Sequence, residues 1–471
     1  MGIEGYGLVG VYATLQGILV ILDMGLSTTV NRELARYSVK SNHEQEMRDL
    51  VRTLEMIYWT TAAVIAILVF LLSSIITRRW LSAETLQSET IQRVIITIGL
   101  TLAFQFPVGF YMGGLMGLQR QVLYNILNAA IWTIRGVGAL VVVRFSPRPV
   151  LDYFNWQLFM SILNVAIIAV ALWRSLPPSP EAARFQRRLL NGVWRFAAGI
   201  SVISIAILCF NQLDKVILSK QLSLTMFGYY SLAWQIAGIL FLLYYPLYTV
   251  FFPIFSQKVL LGDIKGLKEA YHYNCQLMSV LVLPVTIVVV LFSRKILLAW
   301  TGNMTTTENT YVLVTILMPG AALGALLYPP FSVQQAYGYT KSVFYTVFSS
   351  LFALVPLILI SVSTYGAVGA ATVWASVNAV QVLLLIHFTH QQFLQGEQIR
   401  WYVKDVGRPL LVTLAVVGIA RWGITGPTSV PGTIVYLAGV LFLALLAAAL
   451  VTPNTLVIMK RYLASVPACL K

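Results

Sequence analysis

Apolar runs of roughly twenty residues recur along the whole chain, from LVGVYATLQGILVIL just after the N-terminal GIEGYG to VYLAGVLFLALLAAAL near the other end. An α-helix rises about 1.5 Å per residue, so each run is long enough to cross a hydrocarbon core of about 30 Å. A transmembrane β-barrel would alternate apolar and polar residues, whereas these runs are continuous. Only 10% of the residues are charged, against about 25% in soluble domains. The fold class is therefore all-α, a polytopic membrane protein.

Thirteen spans are predicted, near 6–23, 54–76, 94–117, 122–143, 153–173, 196–218, 228–252, 276–299, 311–330, 342–363, 366–388, 408–425 and 433–452. The connections are too short to hold a folded soluble domain. GIEGYG, with two glycines, a charge and a tyrosine, reads as a tight turn between two elements. No basic segment precedes the first apolar run, so no cleavable signal is expected. Cys209, Cys275 and Cys469 form no CxxC pair, which argues against a disulfide framework or a zinc site. The net charge of +15 is read as basic loops held on the cytoplasmic side and not as a nucleic-acid surface.

Loop charge sets the orientation. One set of alternate loops carries 21 of the 32 Lys and Arg residues, the other carries 10, and Arg135 lies mid-span. The richer set is expected to be cytoplasmic, with the C-terminus. Thirteen spans then put Met1 outside.

An internal repeat organises the spans. LMGLQRQVLYNIL (115–127) matches AYGYTKSVFYTVF (336–348) through Gly117, Arg120, Val122 and Tyr124 against Gly338, Lys341, Val343 and Tyr345. EGYGLVGVYA (4–13) matches FGYYSLAWQI (227–236) at nearly the same offset. The second half then has a helix, 196–218, with no counterpart in the first. The expected plan is two six-helix lobes around a central cavity, the first lacking its opening helix, plus two extra C-terminal helices. The expected boundaries are 1–173 for the first lobe, 174–194 for a cytoplasmic linker, 195–394 for the second lobe and 395–471 for the added helices and tail.

Polar residues inside spans face protein or water. Gln121, Asn125, Asn128, Trp132 and Arg135 recur at steps of four and three, on one helix face. One reading is a cationic lining for an anionic substrate. The other is an ion pair with an acid, or polar glue between helices. Asn211, Asp214 and Lys215 cluster at the end of 196–218. Asp214 and Lys215 point about 100° apart and are not expected to pair within their helix. Asp214 reads either as a site for a coupling proton or sodium ion or as the partner of a base on a neighbouring helix. Asp23 lies at the cytoplasmic end of the first span, solvated or capping a helix. Arg32 and Arg36, one turn apart, would flank a lipid phosphate or act as ordinary retention charges. Trp374, Asn378 and Gln381 form another stripe, read as packing or polar lining. His387 and His390 read as solvated at the interface. No Walker A, HExxH or GxSxG motif is present, so no catalytic residue and no metal ligand is assigned.

The segment GIEGYGLVGVYATLQGILVILDMGLSTTVNRELAR (2–36) resembles the signature region of O-antigen-type oligosaccharide flippases. These belong to the multidrug/oligosaccharidyl-lipid/polysaccharide exporter superfamily. NQLDKVILSKQLSLTMFGYYSLAWQ (211–235), LVLPVTIVVVLFSRKILLAWTGN (281–303) and YGAVGAATVWASVNAV (365–380) carry the likeness along the rest of the chain. The resemblance implies an inner-membrane protein that moves undecaprenyl-pyrophosphate-linked oligosaccharide from the cytoplasmic to the periplasmic leaflet. It implies two lobes that alternate access, a cationic cavity and an ion gradient in place of ATP. On that basis Arg135, Lys215, Asn125, Asn128, Trp132 and Asn211 are expected to line the cavity, and Asp214 to serve ion coupling. Asp23, Arg32 and Arg36 are expected at the cytoplasmic entrance. No cofactor beyond a coupling H+ or Na+ is expected. The partners expected are the lipid-linked oligosaccharide, the bilayer, and a polysaccharide polymerase with chain-length proteins. A drug exporter of the same superfamily is the alternative, with a membrane polymerase or ligase behind it.

Overall fold

The structure, a computed structural model, describes residues 1–23, 25–38, 43–188, 210, 212–339, 341–423, 427 and 429–452, with backbone alone at 20–21 and 341–344. It is helical throughout its described residues apart from short connections and a single bridge between Ser82 and Ser223. The chain divides into two compact units, residues 1–228 and 229–471.

The first unit begins with α1 (Gly2–Leu22), followed by the amphipathic α2 (Leu26–Tyr37). The long helices α3 (Glu44–Ile75), α4 (Ser88–Gly117), α5 (Gln121–Phe145) and α6 (Pro149–Ser175) come next. A π-helical turn, Ile76–Trp80, closes α3. Helix α4 forms the centre and packs on α3, α2 and α6. Its core includes Leu54, Tyr58, Phe110, Tyr111 and Ile168, all nearly inaccessible to solvent. The helical segment 212–221 (α7) also belongs to this unit. The predicted span 196–218 lies outside the described residues except at 210 and 212–218.

Helix α8 (Leu224–Ala237) begins in the first unit and continues into the second, which goes on with α9 (Ile239–Leu260), α10 (Ile264–Leu291) and the short α11 (Ser293–Thr301). After α12 (Met304–Leu326) and α13 (Tyr328–Ala336), the chain forms α14 (Lys341–Gln392). A short α15 (Gln398–Arg400) runs through a π-helical turn, Trp401–Gly407, into α16 (Arg408–Gly423), and α17 (Val430–Leu450) ends the described fold. Helices α16 and α17 pack on α10 through Ile287, Val288, Phe292, Val417, Val440 and Ala444.

Among the described residues nine helical stretches are long and apolar enough to cross a membrane. Most match predicted spans. The break predicted between 363 and 366 falls at Gly366, whose φ of 57° a side chain would strain, so α14 is two spans joined at a kink.

Two sequence expectations fail. GIEGYG is not a turn: residues 2–22 are continuous helix, and so is the matching MFGYY at 226–230. The glycines serve close approach instead. A Cβ on Gly7 would stand 2.4 Å from the Leu224 carbonyl oxygen, and one on Gly228 would stand 2.4 Å from that of Ile3. The predicted span 276–299 is also out of register. Helix α10 starts at Ile264 and ends at Leu291, because its polar residues Tyr271, His272, Asn274 and Gln276 are buried against protein.

Candidate functional site

Arg135 is the most unusual group in the first unit. It lies midway along α5, an apolar helix whose surface is largely exposed. Of its predicted stripe, Gln121, Asn125 and Trp132 are exposed and Asn128 is half-buried, but Arg135 itself is only 4% exposed. Its Nη2 donates to Ser161 Oγ on α6 at 2.7 Å, and its guanidinium sits 5.2 Å from the centre of the Trp132 ring. Trp156 Nε1 donates to the Arg135 carbonyl oxygen at 2.9 Å, which fixes α6 against this turn of α5. Arg135 Nε has no hydrogen-bond partner among the described residues, and no carboxylate pairs with the guanidinium there. A cation at this depth costs about 2.5–3.5 kcal/mol on insertion scales. One neutral hydroxyl and one ring face offset only part of that. The acid partner considered from the sequence is therefore absent among the described residues, whereas the helix-to-helix hydroxyl contact is present.

At the end of the first unit Asp214 is fully buried, and Lys215 Nζ lies 3.2 Å from its Oδ1. This corrects the expectation that the two would not pair. Their Cβ atoms do diverge, but the four-carbon lysine stem folds its ammonium back onto the neighbouring carboxylate. Asn211 lies outside the described residues.

The end of this unit where α1 meets α2 is more tightly bonded than the sequence suggested. Asp23 is held between Ser27, which donates to Oδ2 at 2.7 Å, and the phenol of Tyr58 on α3, which donates to Oδ1. Arg32 and Arg36 both reach the Glu33 carboxylate, at 2.6 and 3.4 Å. One residue escaped the sequence reading. Glu55, 7% exposed, accepts from Tyr111 Oη (2.7 Å), Trp173 Nε1 (3.0 Å) and Arg52 Nη1 (2.8 Å). It is the single acid in the predicted span 54–76, which was a usable signal.

At the start of α1, the Glu4 carboxylate gathers three backbone N–H groups, of Glu84, Thr85 and Leu86, at 2.6–2.9 Å, and the Thr85 hydroxyl at 2.6 Å. Burial pushes the Glu4 pKa up, but these four donors outweigh it and hold the carboxyl below its ordinary range.

The second unit holds a buried ionic cluster that the sequence reading did not find. His272 on α10 is completely buried and faces a carboxylate at each ring nitrogen: Nδ1 meets Asp405 of the π-helical turn, and Nε2 meets Glu397 Oε2 at 3.0 Å. Gln276 Nε2 donates to the other Asp405 oxygen at 2.9 Å, and Lys268 Nζ lies 3.1 Å from Glu397. Burial raises the Glu397 pKa, but Lys268 and His272 more than compensate and leave it below the ordinary value. His390, expected to be solvated, is 2% exposed and its Nδ1 is hydrogen-bonded to the Ile386 carbonyl; His387 is exposed as expected. Trp374, Asn378 and Gln381 are all buried, and Trp374 packs edge-on to Trp234. No cluster of three or more metal-ligating side chains occurs among the described residues.

Three comparisons bear on this geometry. The sequence profile of a family described as polysaccharide biosynthesis protein matches residues 1–259. A protein of Shigella flexneri named "Putative O-antigen transporter" is 22% identical over 386 residues, which cover 82% of this chain and 90% of that one. Among solved structures, an inward-facing multidrug resistance MATE family transporter of the MOP superfamily aligns with a TM-score of 0.71 at 13% identity, over 83% of this chain and 91% of that one. The lipid II flippase MurJ in an inward closed conformation aligns with a TM-score of 0.70 at 13% identity, over 94% and 92%. At such identities the structural likeness establishes the fold, that of these membrane transporters.

Proposed function

The chain belongs to the polysaccharide biosynthesis protein family, and from that premise we propose that it is a flippase for lipid-linked oligosaccharides in the bacterial inner membrane. It carries undecaprenyl-pyrophosphate-linked sugar units from the cytoplasmic to the periplasmic leaflet, for O-antigen, capsule or exopolysaccharide synthesis. The likeness to a Shigella flexneri protein named for O-antigen transport and to the lipid II flippase fold supports this reading. The orientation is C-terminus inside, as loop charge indicates.

The observation that carries the proposal is Arg135. A guanidinium buried inside a span, with no carboxylate on it among the described residues, keeps charge available for an anion. A pyrophosphate head group supplies that anion, and a planar guanidinium binds phosphate oxygens in pairs. Lys215 adds a second cation close to Asp214, the group assigned to ion coupling. As the family resemblance implies, transport is driven by an ion gradient, H+ or Na+, through alternating access. A polymerase and chain-length proteins would receive the product. A drug exporter shares the fold, but a site for organic cations would favour acids where this chain places Arg135.

The test is genetic. In a strain lacking its own flippase, Arg135→Gln should abolish most surface polysaccharide at normal expression, and Arg135→Lys should retain part of it. Full restoration by Arg135→Gln would remove Arg135 from the account.

A further inference from the structure

Helices α9 and α13 of the second unit share a ladder of aromatic rings. Phe241, Tyr244, Tyr245 and Tyr248 follow one edge of α9 at steps of three, one and three. Phe241 stacks on Tyr245 with centroids 4.9 Å apart, and Tyr245 is 6.0 Å from Tyr248. Tyr244 and Tyr248 lie 4.5 and 5.5 Å from Tyr328 on α13, and Tyr248 stacks on Phe331 at 6.4 Å. The Tyr248 hydroxyl donates to Gln335 Oε1 at 2.9 Å, which locks the second row in place.

The ladder is not closed off. Phe241 is 46% exposed and Tyr245 is 44% exposed. The Tyr245 hydroxyl makes no hydrogen bond among the described residues. Its depth makes that informative. Tyr245 lies thirteen residues before Lys258, about 20 Å along the helix, well inside the hydrocarbon core. A phenol at that depth facing acyl chains would leave its O–H without a partner, so polar groups there face protein or water. The exposed arc of α9 is divided accordingly: Leu242 and Val250 occupy the edge away from the rings.

We propose that this ladder is the surface on which the sugar rings of the transported oligosaccharide stack, a proposal that rests on the flippase reading. A pyranose has a face of C–H groups and a rim of hydroxyls. The C–H face matches the negative face of an aromatic ring, and the rim meets phenolic hydroxyls such as that of Tyr245. Two-torsion tyrosines, stacked on one another, present this surface with little entropy to lose. Stacking reads the ring face and ignores the hydroxyl pattern, so the ladder is tolerant of sugar identity, and the pyrophosphate is recognised elsewhere.

The experiment uses the full chain in lipid nanodiscs and two probes: undecaprenyl pyrophosphate carrying a neutral trisaccharide, and undecaprenyl pyrophosphate without sugar. Tyr245→Ala should weaken binding of the glycosylated probe by about tenfold and leave the sugar-free probe unchanged. Tyr245→Phe and Tyr245→Trp, which keep a ring, should restore most of the affinity and report that the protein is folded. Equal binding of the glycosylated probe by wild type and Tyr245→Ala overturns the ladder alone. Equal weakening of both probes also overturns it, by assigning the rings to the polyprenyl chain. Failure of the wild-type protein to bind either probe overturns the flippase reading and the ladder with it.

Discussion

His272 and Asp405 are both fully buried, and the imidazole Nδ1 is hydrogen-bonded to the carboxylate. Because Nε2 faces Glu397 as well, both ring nitrogens meet acceptors. A neutral imidazole has one N–H and one lone pair, so it satisfies only one carboxylate. The arrangement requires a proton more than neutral histidine carries, either on His272 or on one of its two acids. Helix α10 is thereby joined to the π-helical turn that leads into the last two spans.

Removing one partner should therefore be costly. His272→Ala leaves the buried Asp405 carboxylate with the Gln276 amide, and loss of about 3–5 kcal/mol is expected for a broken buried pair. The readout is the apparent unfolding temperature in detergent. The double change His272→Ala, Asp405→Asn should recover much of the loss, because no uncompensated charge remains. Additive losses would show that the two residues act independently.

The acid side of this cluster sets a pH dependence. The folded Glu397 carboxyl titrates below its ordinary value of 4.5. A depressed carboxylate stabilises the folded state fully above the unfolded value, and that contribution disappears as pH falls through the folded one. Exchange protection of residues 395–407 should thus include the full Glu397 contribution and be flat with pH near neutrality, and fall at pH 4 and below. Glu397→Gln should flatten that acid limb. An unchanged limb in the variant would assign it to other groups.

The start of α1 offers a separate test. Glu4 alone accepts the N–H groups of Glu84, Thr85 and Leu86. Hydrogen bonds to a charged group contribute about 1.5–3 kcal/mol each before the other losses are counted. Glu4→Ala should lower exchange protection of these amides by roughly a hundredfold and leave α10 unaffected. Protection retained in the variant would mean that the loop is held by its own packing.

The glycine pair at the crossing of α1 and α8 predicts a steric result. Gly228→Ala puts a Cβ 2.4 Å from the Ile3 carbonyl oxygen, so these two backbone segments of the first unit must separate. Expression and unfolding temperature should both drop, and more for Gly228→Leu. A stable Gly228→Leu protein would show that the contact is slack.

Much of this was legible in the sequence, and the gaps have physical causes. Chain class and the places of most spans follow from run length, because a bilayer imposes one thickness on every helix. The kink at Gly366 was legible because TYG interrupts an apolar run. GIEGYG misled because glycine serves both turns and close helix contacts, and only the facing helix decides which. The start of α10 was missed because Tyr271 and His272, polar and ahead of the apolar run, look like loop residues until Asp405, over a hundred residues away, meets His272. Arg135 stood out because a mid-span cation is rare on any pattern. Glu55 did not, since its donors Tyr111 and Trp173 lie on other helices. The Asp214–Lys215 pair was missed because directions at Cβ were used where side-chain length decides.

Movement of a pyrophosphate-linked sugar across a bilayer can be followed in vesicles. The direct measurement uses the full chain reconstituted in liposomes with undecaprenyl pyrophosphate carrying a fluorescently labelled sugar, under imposed proton or sodium gradients. Label reaching the opposite leaflet is read by quenching with a membrane-impermeant reagent. A flippase should give gradient-dependent transfer that falls at least tenfold in Arg135→Gln and loses its gradient dependence in Asp214→Asn. Wild-type vesicles that leave the labelled lipid in place, yet export an organic cation such as rhodamine 6G, would contradict that reading.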